Sequence, residues 1–433
     1  MSELRPRNRG SLGNVELVRH GRQKTSSPWK RALAWVASGL AVLLVSTVSL
    51  AAITVASLEA NIETVDIGEE DAPAPGIGAY PGGYNLLIVG SDTREGQDGI
   101  GGESSGNLND VTMLLHVSED HSSAVAVSIP RDMVVPIPSC PDPDGGSFSA
   151  MSARPINETL TYGGLPCSVL TVEELTGLDI TFAGLITFKG VIEMSNAVGG
   201  VDVCVDGPIR DTDTGLNIKE AGTVNLKGAQ ALAFLRTRHG VGDGSDLGRI
   251  SSQQVYLSSL VRTLKSDDTL TNIPRLYSIA SAATSNMKLS SNMTSVDTLV
   301  AIAQSLRNIP LDRIQFVQYP GTTGGTGVYS GKVQPNEFLA TQMMDFIKAD
   351  QPFTVTGGNN IGSVADPNAP EPTTAPEPTT EPTTAPEPTT DPTEEAPAPT
   401  VAPTPAATEA PVETVDGVSG QSAADYTCSR ANN

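Results

Sequence analysis

The sequence predicts an α/β domain with a central mixed β-sheet flanked by helices, preceded by one transmembrane helix and followed by a disordered Pro/Thr-rich tail. Three observations carry that prediction. Between Tyr84 and Phe353, short apolar runs bounded by turn residues alternate with stretches of helical spacing, a pattern that favours strands layered with helices over a sandwich. The run Ala32–Leu58 is uncharged and long enough to cross about 30 Å of hydrocarbon as a helix. After Phe353, Pro, Thr, Ala and Glu dominate to about Glu413, and EPTTAPEPTT repeats over Glu371–Thr390. Such composition favours solvated, extended chain.

Met1–Arg31 carries Arg5, Arg7, Arg9, Arg19, Arg22, Lys24, Lys30 and Arg31 against Glu3 and Glu16. The apolar run that follows exceeds the 7–15-residue core of a cleaved signal peptide, so a retained anchor fits better. Its basic flank places residues 1–31 in the cytoplasm. The expected arrangement is single-pass, with the spacer 59–83 and the domain outside the cell membrane. In the domain, Tyr84–Gly90, Val111–Val117 and Ala124–Ile129 read as strands, and Pro136–Pro155 as loop. Ile156–Tyr162 and Leu170–Thr176 read as helices, Thr181–Ile186 as a strand, Lys189–Val198 as a helix and Val201–Val205 as a strand. Gly228–Arg236 and Ile250–Leu264 read as amphipathic helices. Residues 266–353 continue the globular body, mostly helical, with a strand near Arg313–Gln318; residues 354–433 form the tail.

The formal net charge is -22. Setting aside the basic N-terminus leaves the remainder more acidic still, which argues against a nucleic-acid partner, since that binding rests on neutralising phosphates. An extracytoplasmic domain permits disulfides. Cys140 and Cys167 flank a Pro/Gly/Ser-rich loop and form the favoured pair; Cys204 and Cys428 remain, separated by the flexible tail. Against this acidic background, Ala231–Gln254 gathers Arg236, Arg238 and Arg249. Guanidinium groups bind phosphate oxygens bidentately. Asp92 and Asp110 sit at strand ends, where carboxylates can hold a hard cation. Arg236 and Arg238, two apart, face one side only if the helix from Gly228 ends near Arg236. The alternative is structural ion pairing of these arginines with Asp243, Asp246 or Glu220.

In order, NLLIVGSDTR (Asn85–Arg94), NDVTMLLHVS (Asn109–Ser118), AVSIPRDM (Ala126–Met133), INETLTYGG (Ile156–Gly164), GGVDVCV (Gly199–Val205), LKGAQALAFLRTRHG (Leu226–Gly240) and GDGSDLGRISSQQ (Gly242–Gln254) resemble the LytR-CpsA-Psr family of bacterial envelope proteins, its actinobacterial members in particular. The resemblance implies a cell-wall phosphotransferase. Its partners would be a polyprenyl-pyrophosphate-linked glycopolymer, a peptidoglycan acceptor and the membrane. It implies Mg2+, or Mn2+, held by Asp92 and Asp110. Arg131, Arg236, Arg238 and Arg249 would grip the pyrophosphate, with Gln253 bonding nearby and Arg94 and Asp132 in the same polar network. Three positions depart from the pattern: Leu108 and Ser252 stand where arginine is frequent, and Pro155 where lysine is, with Arg154 alongside as a substitute. A polyprenyl tail requires an apolar trough, for which Val191, Ile192, Met194 and Phe182–Phe188 are candidates. A lipid-pyrophosphate pyrophosphatase and a non-catalytic envelope regulator are the competing readings.

Overall fold

Leu86, Leu87 and Val89 are all buried, so the first core strand has cover on both faces, as a sheet between helical layers provides. The computed structural model describes residues 27–59, 63–68, 79–93, 106–266, 269–293, 295–358, 361–370 and 412–432. In it this strand, Tyr84–Ser91, lies inside a nine-stranded sheet. The order across the sheet is Glu63–Val65, Met287–Ser290, Phe182–Ile186, Tyr84–Ser91, Asn109–Val117, Ala124–Ile129, Ile314–Gln318, Glu413–Ser422 and Phe353–Gly358. The sheet is mixed. Tyr84–Ser91 runs parallel to Phe182–Ile186 and antiparallel to Asn109–Val117, and Ala124–Ile129 runs parallel to Ile314–Gln318.

Leu87, Val89, Leu114 and Val127 pack on one face with Leu160 and Val169 of the Thr159–Thr176 helix and Met343 of Glu337–Lys348. Leu86, Ala126, Phe182 and Phe316 face the other way, against Ile302 of Val296–Ser305 and Leu257 of Asp246–Ser266. The expected helical layers are therefore present on both sides. A smaller sheet, Gly222–Leu226, Val201–Val205, Thr427–Ser429 and Ser363–Ala365, covers its own core around Val203, Phe234 and Val255.

The chain divides into two compact units, Met1–Ala56 and Ser57–Asn433. The first is occupied by the helix Pro28–Glu59, whose segment Pro28–Ser46 is long and apolar enough to cross a membrane. Trp29, Leu33, Trp35, Leu40 and Leu43 are all exposed on it.

Three expectations are corrected. Pro136–Pro155 is not plain loop. Val134–Ile137 pairs with Met151–Pro155, and Cys140–Pro141 with Ser147–Phe148, as small antiparallel ladders pinned by the Cys140–Cys167 disulfide. The two helices expected between 156 and 176 are nearly continuous: a 3-10 turn, Ile156–Glu158, leads into Thr159–Thr176. The break falls at Gly163–Gly164, where Gly164 has φ 68 and a Cβ on Gly163 would come 2.7 Å from the Pro141 carbonyl. Only glycine tolerates both demands.

The tail reading fails at both ends of residues 354–433. Phe353–Gly358 and Ser363–Ala365 are strands, and Glu413–Ser422 inserts between Ile314–Gln318 and Phe353–Gly358. Val415, Val418 and Ala423 are buried, and Cys428 is bonded to Cys204. The physical reason is a short strand after the repeat whose few apolar residues, Val415 and Val418, are hidden in a composition average. The repeat Glu371–Thr390 lies outside the described residues.

A chain ending at Phe353 therefore loses the last two strands at one side of the nine-stranded sheet and uncovers the Ile314–Gln318 strand, and it should show no cooperative thermal transition. In the full chain, Cys204→Ser with Cys428→Ser should cost about 2–5 kcal/mol in urea denaturation. A double variant as stable as the parent would contradict this placement of the C-terminus.

Candidate functional site

The strands Tyr84–Ser91 and Asn109–Val117 stay in register as far as Gly90↔Val111, and the next pair is Ser91↔Asn109. Asp110 is thus the extra residue of a β-bulge, a device that re-aims side chains. Strict alternation would send Asp110 and Val111 to opposite faces; here both line one cavity. Asp92 lies just beyond the paired strand. Its amide donates to the Leu108 carbonyl at 3.0 Å, and its Oδ1 accepts the Leu108 amide at 2.8 Å.

Pro130 closes the Ala124–Ile129 strand, and Arg131 follows it. Its Nη1 donates to Asp110 Oδ1 in an ion pair, and its Nε lies 3.6 Å from Asp132 Oδ2. Arg249, in the first turns of Asp246–Ser266, is 4% exposed. Its Nη2 donates to the Asp110 main-chain oxygen at 2.8 Å and lies 2.7 Å from Asp246 Oδ1. The same Asp246 oxygen is 3.3 Å from Arg238. Asp132 also receives Lys332 Nζ at 2.8 Å.

Burial pulls the Arg249 pKa down, opposed by Asp246 and Asp110, and the balance stays below its ordinary value. For Asp132, burial favours the neutral form, but the Lys332 hydrogen bond and the charges of Arg131, Lys332 and Arg238 outweigh it and hold the carboxyl low. Among the described residues, Arg131 Nε and Arg249 Nε are buried without a hydrogen-bond acceptor, and the Asp246 carboxylate oxygens, though ion-paired, are buried without a hydrogen-bond donor. An unmet buried donor costs about 1–3 kcal/mol, so an oxygen ligand that reached either Nε would be favoured.

Beside this charged group lies a cavity of about 190 Å³ between the sheet and the helices Phe188–Val198, Ala229–Arg236 and Asp246–Ser266. Ile88, Val111, Met113, Ile186, Phe188, Val191, Leu232, Leu235 and Leu257 make it apolar, while Asp110, Arg236, Arg249 and Gln253 also line it. The Arg236 guanidinium sits 4.1 Å from the Phe188 ring centroid, a cation–π contact that keeps the charge beside apolar surface. Gln253 is anchored by its Nε2 donating to the Leu235 carbonyl at 2.8 Å.

The helix does end at Arg236, with Thr237 extended at φ -60, ψ 137. The loop after it is held from two sides. Asp211 Oδ2 accepts the Thr237 hydroxyl at 2.5 Å and the Arg238 amide at 3.3 Å. The C-terminus supplies the Arg430 carbonyl to the Gly242 amide and takes the Gly240 carbonyl through the Asn432 amide.

Arg131 pairs with Asp110 and Asp132, Arg238 and Arg249 pair with Asp246, and the Arg249 bond to the Asp110 carbonyl joins the two sets; Arg236 and Gln253 border the cavity. Arg236 and Arg238 do not share a side as expected: one lies on Phe188 and the other on Asp246. Arg154 is half-exposed and paired with Glu158 at 3.8 Å. Arg94 lies outside the described residues. Val191, Ile186 and Phe188 line the cavity, whereas Ile192 and Met194 are not on its wall, and Phe182 is packed against Tyr80 and Tyr84. Ser252, where arginine is frequent, is buried with its hydroxyl 2.8 Å from Ser429 Oγ; the C-terminal strand takes the space a long side chain would need. The sequence offers Asp246 only as an ion-pair alternative, although its i, i+3 spacing to Arg249 is a readable signal; nothing in the sequence around Lys332 marks it as part of the group.

The model of the LytR_cpsA_psr family matches residues 50–345. Cell wall biosynthesis protein LcpA of Corynebacterium glutamicum is 30% identical over 287 residues, 59% of this chain and 53% of that one. Probable cell wall biosynthesis protein LcpB of the same organism is 35% identical over 212 residues, 47% and 48% of the two chains. The polyisoprenyl-teichoic acid–peptidoglycan teichoic acid transferase TagT of Bacillus subtilis is 27% identical over 242 residues, 54% and 68%. The chain thus spans about half the length of the two corynebacterial relatives.

Asp246→Ala strands a buried guanidinium and should destabilise the domain by about 3–5 kcal/mol, while Arg154→Ala should stay within about 0.5 kcal/mol of the parent. Urea denaturation measures both. Equal midpoints for the two variants would rule out the ion-paired arrangement of Arg249.

Proposed function

The chain belongs to the LytR_cpsA_psr family, and we propose that it is a membrane-anchored phosphotransferase of cell-wall assembly. It moves a glycopolymer from a polyprenyl-pyrophosphate carrier to a peptidoglycan hydroxyl. The observation that carries this reading is the junction of an apolar cavity with a guanidinium–carboxylate group, since Asp110, Arg236 and Arg249 are among the residues that line it. A ligand complementary to both is apolar over part of its length and strongly anionic immediately beside it, as a lipid diphosphate is. The teichoic acid transferase activity for which the Bacillus subtilis relative is named agrees with that choice.

In the proposed step the acceptor oxygen attacks the phosphorus that carries the sugar. The bond from that phosphorus to the bridging oxygen breaks, its electron pair leaves with polyprenyl phosphate, and the hydroxyl proton is lost. A phosphodiester results. Such transfers depend mainly on positioning and on neutralising charge at non-bridging oxygens. Arg131, Arg238 and Arg249, held in place by Asp110 and Asp246, are already oriented for this. Their buried Nε–H groups (Arg131 and Arg249) are donors that a phosphate oxygen would satisfy.

Asp92 and Asp110 fit a hard divalent ion by donor type, and pairing of their strands brings both to one end of the sheet. They would hold Mg2+ or Mn2+, which would offset the charge that a diphosphate adds to a group whose arginines already have carboxylate partners. The basic N-terminus and the helix Pro28–Glu59 would keep the domain outside the membrane, within reach of the lipid carrier.

The test is incubation of the detergent-solubilised full chain with a lipid-linked oligosaccharide, a peptidoglycan acceptor and Mg2+. The expected product is polymer covalently joined to peptidoglycan, and Arg238→Ala and Asp110→Ala should each lower its rate by at least about 10²-fold with unchanged circular dichroism. Chelation should stop the reaction and Mg2+ restore it. Release of free phosphorylated oligosaccharide in place of the conjugate would make the protein a hydrolase. No turnover, with both variants still binding donor as the parent does, would leave a regulator.

A further inference from the structure

Arg131 faces two acids and bonds them unequally. Its Nη1 donates to Asp110 Oδ1, whereas its Nε lies 3.6 Å from Asp132 Oδ2, beyond the reach of about 2.7–2.9 Å at which a charge-assisted hydrogen bond forms. That Nε is buried without an acceptor. A shift of the Asp132 carboxylate by roughly 1 Å would close the gap. Its other oxygen is already taken: Asp132 Oδ1 accepts Lys332 Nζ at 2.8 Å.

Lys332 comes from the connection between Gly321–Thr322 and Gln334–Pro335, outside every motif of the charged group, yet its main chain is fixed on both sides. Its own amide donates to the Tyr329 carbonyl at 3.0 Å. The next residue, Val333, forms a bridge with Met133: the Val333 amide donates to the Asp132 carbonyl and the Val134 amide to the Val333 carbonyl, each at 3.0 Å. Val333 and Met133 are both buried. Gly321 passes so close that a Cβ there would come 2.6 Å from Val333 Cγ1 and 3.0 Å from Met133 Cε. The Lys332 side chain thus starts from a fixed point beside Asp132, and it remains 35% exposed. In these ion pairs Arg131, Arg238, Arg249 and Lys332 stand against Asp110, Asp132 and Asp246. Without Lys332, cations and anions are equal in number.

We infer that Lys332 is a positioning residue for Arg131: by occupying Asp132 it holds that carboxylate off the Arg131 Nε and keeps the Nε–H as a donor for a phosphate oxygen. The inference rests on the proposed transferase reading. Lys332 acts through Asp132 and need touch no ligand itself. In its absence the carboxylate turns to Arg131, and the donor is spent inside the protein. The same carboxylate, no longer neutralised, also repels an incoming diphosphate.

Equilibrium binding of inorganic pyrophosphate, with Mg2+ present, to the detergent-solubilised full chain tests this without turnover. Lys332→Met keeps the aliphatic stem and drops the charge. It should weaken binding about 10-fold or more, the size of one lost charge-assisted hydrogen bond, and Lys332→Arg should restore it. The decisive variant combines Lys332→Met with Asp132→Asn. An amide has no charge to draw onto Arg131, so the double variant should recover binding to within about 3-fold of the parent. A side chain needed only for folding would show no such rescue. At about 0.5 M salt, where distant charges are screened, the ratio of parent to Lys332→Met affinity should persist. Lys332→Met binding as the parent does, a double variant as weak as the single one, or a defect that salt abolishes would each overturn the inference. If pyrophosphate does not bind even to the parent, the charged group is no phosphate site and the functional reading falls first.

Discussion

Arg249 is a permanent charge at 4% exposure, and the arrangement of the site depends on compensating it. A buried guanidinium is tolerated only when paired and hydrogen-bonded. Its partners come from separate places: Asp246 from its own helix and the Asp110 carbonyl from a sheet strand. The helix start and the strand end are therefore tied to one another, and Arg131 and Arg238 join through the same two acids. The bulge at Asp110 has a reason in this frame. It lets one residue turn its side chain to Arg131, offer its carbonyl to Arg249 and still leave Val111 on the apolar wall.

The same constraint explains why so remote a segment as residues 412–432 belongs to the domain. The Asp246–Ser266 helix must be held against the sheet. Gln421 Nε2 donates to Ser258 Oγ and Ser429 Oγ meets Ser252 Oγ, each at 2.8 Å. The Cys204–Cys428 disulfide ties this strap to the smaller sheet, and its last residues bond the loop that carries Arg238. The entropic cost of a connection grows only slowly with its length, so a Pro/Thr repeat can precede a strand that the fold requires.

Much of the fold was legible from the sequence. Tyr84–Ser91 and Ala124–Ile129 are apolar runs closed by turn residues, and their burial on both faces follows from that. The arginine cluster was legible because it stands against an acidic background. Other features were not. Glu413–Ser422, reading ETVDGVSGQS, has only two valines, three apart, to bury and carries almost no strand signal after a long polar tract. The separation of Arg236 from Arg238 arises from a tertiary neighbour, Phe188, that local spacing cannot supply. Lys332 is set beside Asp132 by the backbone bridge of its neighbour Val333 to Met133, and nothing in the local sequence marks that contact.

A structure of the full chain with a short prenyl pyrophosphate tests the central claim most directly. The account predicts the prenyl chain among Val111, Leu235 and Leu257, with diphosphate oxygens about 2.7–2.9 Å from guanidinium nitrogens of Arg131 and Arg249. Prenyl density outside that cavity, or a diphosphate held away from both arginines, would contradict it.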